Sequence, residues 1–266
     1  MASKSKQRRV PAPPVQASQQ GRRNERPPKE GRAWGPRQVV LAALAVGVSA
    51  GVLLIGLSVA SAHRSSSPSS SSGTIGGVAE TPILLDGVPQ RRNLLGSSTA
   101  PVRLVEYADL QCPFCAEFAR NVLPTLVHDD VRPGKLEIEF RGLAFIGPDS
   151  TTALKTATAA GFQNRMWNVI ELLYLNQGSE NAWITDQLLR QVVAASGADV
   201  RQVFADRDGS AVTAAIEGWQ RQSQADSVRG TPTFFVGRRG GPLEQLQLTA
   251  LTPDAFQAAM DKALGR

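Results

Sequence analysis

The sequence predicts an α/β domain that carries an inserted block of helices and is preceded by one membrane-spanning helix. Three observations predict it. Short β-patterned runs bracket a helix in the middle of the chain and return near its end; the stretch from Asp149 to about Ala225 has helical periodicity almost throughout; and Val39 to Ala62 is a run of 24 residues without a charge.

The elements follow in chain order. Residues 1–38 hold ten Lys/Arg against two Asp/Glu, with prolines at 11, 13, 14, 27 and 28, and have too little apolar surface to fold; a disordered tail is expected. The remainder carries 19 basic and 21 acidic groups, so the net charge of +6 belongs to the tail. No basic stripe is left for a phosphate backbone, and nucleic-acid binding is not expected. As a helix, residues 39–62 cover about 36 Å at about 1.5 Å per residue, enough to span a bilayer with some tilt. The basic flank precedes this segment, which places the N-terminus in the cytoplasm and everything after His63 outside it, in a bacterial cell envelope. The competing reading is a signal peptide cleaved at Ala60-Ser61-Ala62; the long leader and long apolar core favour an uncleaved anchor. Residues 63–86, with their run of serines, read as a flexible linker, and the folded domain is expected over 87–266.

Val102 to Tyr107 is β-branched and apolar on both faces apart from Arg103 and Glu106, as a central strand would be. Phe114, Phe118 and Val122 recur every four residues, so a helix starts at the cysteines; Pro113 suits its first turn and Pro124 ends or kinks it. Lys135 to Phe140 alternates strictly, which suits a half-covered strand nearer an edge. The helical block, at about 144–225, is expected to start with Asp149 or Ser150 as cap and to continue through Met166–Tyr174 and Ile184–Val192. Trp167, Trp183, Trp219 and Tyr174 fit core positions better than a peptide groove. Strands are expected at Thr233–Val236 and Leu246–Leu248. A last helix is signalled by Thr252 as N-cap, Pro253 at N1, the stripe Phe256, Met260 and Leu264, and Gly265 past the end.

The chain has two cysteines, Cys112 and Cys115, three positions apart. Zinc would need more Cys or His ligands than His63 and His128 supply, and no metal or cofactor is expected. A structural disulfide, a redox dithiol or two unrelated buried thiols remain. As a staple, a disulfide across four residues restrains the unfolded chain by only about 2 kcal/mol, against about 4.7 for a hundred-residue loop. As chemistry it is well placed, because a thiol at a helix N-terminus faces unpaired N–H groups and the positive end of the dipole. Position then assigns roles: Cys112 attacks or is attacked, and Cys115, one turn in, resolves the mixed disulfide.

Glu106 to Cys115, reading EYADLQCPFC, together with Val228 to Phe235, reading VRGTPTFF, resembles the DsbA-like thiol:disulfide oxidoreductases of the thioredoxin superfamily over about residues 90–266. The resemblance implies a thioredoxin-like fold whose helical insertion forms a lid beside the cysteines, and a cis Pro232 packed against them. It implies contacts to substrate at Pro113, Phe114, Gly230 and Thr231. It also implies a buried carboxylate at Glu106 beneath Cys115. On its strand Glu106 shares a face with Val102 and Leu104, so burial should raise its pKa and let it exchange a proton with Cys115. Phe114 stands where strongly oxidising members of the family have a histidine that helps stabilise the thiolate.

The expected activity is therefore a membrane-anchored protein disulfide oxidoreductase acting on Cys-containing secreted or envelope proteins, with the oxidising direction favoured. The resemblance implies a quinone-linked membrane partner of the DsbB or vitamin K epoxide reductase type. A reductase or isomerase would use the same site, and a thioredoxin-fold binding or chaperone module is the alternative from another class. Glutathione-dependent chemistry on a small molecule is a further, weaker reading.

Overall fold

The residues described by the computed structural model, 74–178 and 183–265, begin one helix earlier than the composition suggested. The expected tail, the membrane-spanning segment and the serine run lie outside the described residues, and among these no helix is long and apolar enough to cross a membrane. Helix α1 (Glu80–Leu85) falls inside the stretch read as linker, upstream of the expected boundary at Gly87. Its Thr81 and Leu85 are buried. The Arg132 guanidinium donates to the carbonyls of Ile83, Leu84 and Asp86, which satisfies acceptors that a helix end leaves open.

Two short strands follow, β1 (Gln90–Arg91) and β2 (Leu94–Leu95), and then β3 (Val102–Ala108). Helix α2 (Pro113–Asn121) starts at the cysteines and ends where expected: Pro124 has no N–H to continue the ladder, Val122 caps, and α3 (Leu123–Leu126) restarts and runs into a π-helical turn over Val127–Val131. β4 (Leu136–Gly142) leads into the helical block α4 (Pro148–Gly161), α5 (Met166–Leu175), α6 (Asp186–Ala195), α7 (Val200–Asp206) and α8 (Ser210–Ala225). β5 (Thr233–Arg238), β6 (Glu244–Gln245) and α9 (Pro253–Ala263) complete the described chain.

The strands form one sheet in the order β1-β2-β4-β3-β5-β6. β3 is parallel to β4 and antiparallel to β5, which sets Glu106 opposite Phe140 on one side and Phe234 on the other. On one face Leu104, Ile138, Phe140 and Phe234 pack under α2 and α9 in the main core. Three rings lock that layer: Phe118 lies 4.6 Å from Phe234 and 5.4 Å from Phe256, and Phe234 and Phe256 meet edge to face at 4.9 Å. Val105, Tyr107, Leu143 and Phe235 form a smaller cluster apart from it. Trp167 and Tyr174 are core residues, and Trp183 and Trp219 pack partly buried against the same core.

Four local expectations are corrected. β4 is not near an edge, because the β1–β2 hairpin extends the sheet beyond it, and its charged face is covered rather than solvated. Glu137 is fully buried, paired with Arg91, Arg103 and Arg239; Glu139 pairs with Arg103 and Arg141. Neither Asp149 nor Ser150 caps α4: Gly147 takes that position with Pro148 at N1, and the Ser150 hydroxyl instead donates to Gln111 at 2.8 Å. The last strand is Glu244–Gln245 rather than 246–248, although the Leu246 N–H still donates to Phe234 at 2.9 Å. Just after it the Thr252 hydroxyl accepts from the Ala255 N–H, and Gly265 takes a positive φ of 68°, so α9 starts and stops as its sequence signals.

Candidate active site

β3 ends at Ala108, and the turn that follows is built around Asp109. This residue is fully buried, and its carboxylate accepts from the N–H groups of Gln111 (2.8 Å), Phe145 (2.7 Å) and Ile146 (3.0 Å). Its carbonyl accepts from the Cys112 N–H at 2.9 Å and from the Tyr174 hydroxyl at 3.2 Å. The cysteines are thereby fixed from three directions: by the end of β3, by the loop that opens the helical block, and by α5.

Cys112 is the N-cap of α2, with extended backbone (φ −74°, ψ 121°) and Pro113 at the first helical position. Its sulfur therefore faces the open N–H groups of the first turn. The thiol lies 3.2 Å from the Thr231 carbonyl, to which it can donate. Its pKa is lowered to about 6: the Cys115 thiol, as donor to the deprotonated sulfur, is the largest cause, and the Thr231 side chain and the N–H groups of Cys115 and Phe114 add to it against the opposing effect of burial. Cys115 is fully buried and shifts the other way, first because burial penalises its thiolate, then because its proton is held by Cys112 and because Glu106 and Cys112 bring negative charge near it. One thiol is thus activated and its neighbour is kept protonated.

Glu106 is 2% exposed, and one of its oxygens, Oε1, has no hydrogen-bond partner. Burial above all, then the charges of Cys112 and Glu171, raises its pKa to about 8. Such a group gives and takes a proton near neutral pH.

Gly230, Thr231 and Pro232 come from the other half of the chain, after α8, and are half-buried, with the Thr231 carbonyl against the Cys112 thiol. The Thr231–Pro232 peptide bond is cis, and the Thr233 hydroxyl returns to the Gly230 carbonyl at 2.8 Å. The structure brings Cys112, Cys115, Glu106 and Thr231 together. Pro113 and Phe114 are exposed, Phe114 by 59%. Phe145 and Ile146, also exposed, are tied through their N–H groups to Asp109, in the turn that precedes Cys112.

Sequence reasoning did not single out Asp109 or Glu171. Glu171 is the one charged residue of the mostly apolar α5, MWNVIELLYL, and is 5% exposed. That composition was the signal available for it.

A family model described as thioredoxin matches residues 90–262. The chain is 30% identical over 175 residues to a probable disulfide bond formation protein D of Bacillus cereus, covering 64% of this chain and 77% of that one. Its fold is similar to the crystal structure of oxidised BdbD from Bacillus subtilis (TM-score 0.57, 21% identity, 67% of this chain and 98% of that one). It is equally similar to that of α-DsbA1 from Wolbachia pipientis (TM-score 0.57, 21% identity, 70% and 96%).

Proposed function

Since the chain belongs to the thioredoxin superfamily as a DsbA-like thiol:disulfide oxidoreductase, we propose that it oxidises cysteine pairs of secreted or envelope proteins through Cys112-Pro113-Phe114-Cys115, while anchored in a membrane by residues 39–62. The observation that carries the direction is the opposite displacement of the two thiols, with Cys112 lowered to about 6 and Cys115 raised. A stabilised Cys112 thiolate favours the reduced form of the pair, and a pair whose reduced form is favoured takes electrons from its substrate. Phe114 stands where strongly oxidising members of the family have a histidine, but the Cys115 thiol, the Thr231 side chain and two helix N–H groups stabilise the Cys112 thiolate here.

A substrate thiolate attacks the Cys112 sulfur of the oxidised pair; the Cys112–Cys115 bond breaks, and Cys115 leaves and takes a proton from Glu106. A second substrate thiolate attacks the substrate sulfur of the mixed disulfide, a disulfide forms in the substrate, and Cys112 departs as thiolate. Two electrons have passed to the pair. A membrane partner linked to quinone would remove them. Phe114, Phe145 and Ile146 would receive apolar residues next to the substrate cysteine, and Gly230, Thr231 and Pro232 would line the other side.

The basic flank before residue 39 supports a cytoplasmic N-terminus and an extracytoplasmic domain. The test is the reduction potential of the pair in the full-length protein, together with trapping. A potential above that of the surrounding compartment, and a Cys115→Ala variant that accumulates mixed disulfides with envelope proteins, are expected. A potential well below it would indicate a reductase. A Cys112 that alkylates no faster than a free peptide thiol at mildly acidic pH, with nothing trapped, would leave only a binding module.

A further inference from the structure

Glu106 needs a route for its proton. It lies in the middle of β3, buried between Phe140 and Phe234, and a carboxyl that protonates and deprotonates once per turnover must exchange with water. Beside burial, the charges that raise Glu106 are those of Cys112 and Glu171.

Glu171 leads outward. Its Oε2 is buried without a hydrogen-bond partner, yet the residue lines a groove of about 430 Å³ between α1, α2, α5 and the π-helical turn. The groove wall is apolar, made by Ile83, Leu84, Pro124, Val127 and Leu175. An unpaired carboxyl against such a wall is costly unless it is neutral part of the time. Charged groups face the groove from every element around it: Glu80 from α1, Arg120 from α2, His128 from the π-helical turn and Arg132 directly after it. Of these, Arg120 acts on Glu171; burial outweighs it and raises the carboxyl to about 7. The Arg120 guanidinium is itself held by the Tyr174 carbonyl at 2.8 Å, one turn along α5 from Glu171. The relay therefore consists of two carboxyls with neighbouring affinities for a proton, the inner one at the thiols and the outer one at the groove.

We propose that Glu171 is the outer station of a proton path that runs from Cys115 through Glu106 and opens into the groove between α1, α2 and the π-helical turn. This rests on the disulfide exchange proposed above. When Cys115 attacks a mixed disulfide on Cys112, its S–H bond breaks and the proton goes to Glu106; Glu106 passes a proton to Glu171, and Glu171 releases it to water in the groove. When Cys115 leaves as thiolate, the same transfers run inward. No electrons move along the path. Glu171 acts through Glu106 and does not touch the reacting sulfurs.

The experiment follows the reduced full-length protein as it reacts with oxidised glutathione. The first step forms the Cys112–glutathione mixed disulfide, and in the second Cys115 expels glutathione. In Glu171→Gln the second step is expected to slow at least about tenfold, below the roughly hundredfold that loss of a direct general base costs, and to lose its pH dependence around about 7. Cys112 alkylation and the thermal midpoint should change little, and Glu171→Asp, which keeps the carboxyl, should recover most of the rate. Adding Glu171→Gln to Glu106→Gln should slow the reaction no further. The relay is overturned by a parent-like second step and pH profile in Glu171→Gln, by multiplicative effects of the two substitutions, or by a parallel loss of alkylation and stability. A parent chain that never forms the mixed disulfide overturns the exchange reading as well.

Discussion

The carboxylate of Asp109 accepts from the Phe145 N–H at 2.7 Å, which ties the turn before the cysteines to the loop that opens the helical block. The same oxygen takes the Ile146 N–H, and the other takes that of Gln111. Asp109→Ala strips three N–H groups of their acceptor at a buried position, and an expected loss of about 3 kcal/mol follows. Asp109→Asn keeps an acceptor and should lose less. Urea midpoints for the two variants decide this, and an alanine variant with the parent's midpoint would contradict the clamp.

The Cys112 thiol should titrate at about 6. Because its folded pKa is lowered from 9.0, the stabilisation of the reduced form is present at alkaline pH and is lost as pH falls through about 6. The potential of the pair should track that window. Thr231→Val removes the side-chain donor and should move the alkylation midpoint upward, by up to about one unit. An unmoved midpoint would mean that the Thr231 hydroxyl contributes nothing to the thiolate.

Glu106 displaces in the opposite sense, from 4.5 to about 8, so it favours the fold below 4.5 and the benefit is lost as pH rises through about 8. Glu106→Gln should therefore raise stability relative to the parent at alkaline pH, by a few kcal/mol as an order of magnitude, and slow the Cys115 step by about a hundredfold. Thermal midpoints across pH measure the first effect. A variant less stable than the parent at every pH would show that the carboxylate is satisfied in a way its surroundings do not suggest.

Glu137 gathers Arg91, Arg103 and Arg239 on the polar face of β4. Its side chain is fully buried, whereas the arginines keep 34–45% of their surface in water, which softens the loss of their partner. Glu137→Gln is expected to cost about 2 kcal/mol, less than a breach between fully buried charges. Denaturant titration at low and high salt should show the difference shrinking with salt; a salt-independent cost would assign it to packing.

How far the fold was legible depended on where each element finds its partners. β3 was visible because strands covered on both faces are apolar on both faces, and α9 because its cap, its Pro253 and its Gly265 are all local signals. The β1–β2 hairpin was not: each strand has two residues, and the turn places Arg92 at φ 54° where glycine or asparagine would have been the cue. The charged face of β4 looked solvent-facing because alternation does not distinguish water from arginines supplied by residues 91, 103 and 239. At the site, the cysteines and the inward direction of Glu106 could be read from spacing and from the period of the strand. Asp109 could not, since its partners lie up to 37 residues away, and Glu171 offered only the cue of a single acidic residue in a mostly apolar helix.

The bond between Cys112 and Thr231 spans 119 positions of sequence. A chain made from its N-terminus exposes both thiols well before Thr231 exists, and the five helices of the block must be laid down in between. Of the groups that lower Cys112, the Cys115 thiol and the N–H groups of Cys115 and Phe114 lie within the next three residues, whereas the Thr231 contribution is added only once β5 joins the sheet. The site is thus completed last at the Thr231 side, by the part of the chain that is made after the whole helical block.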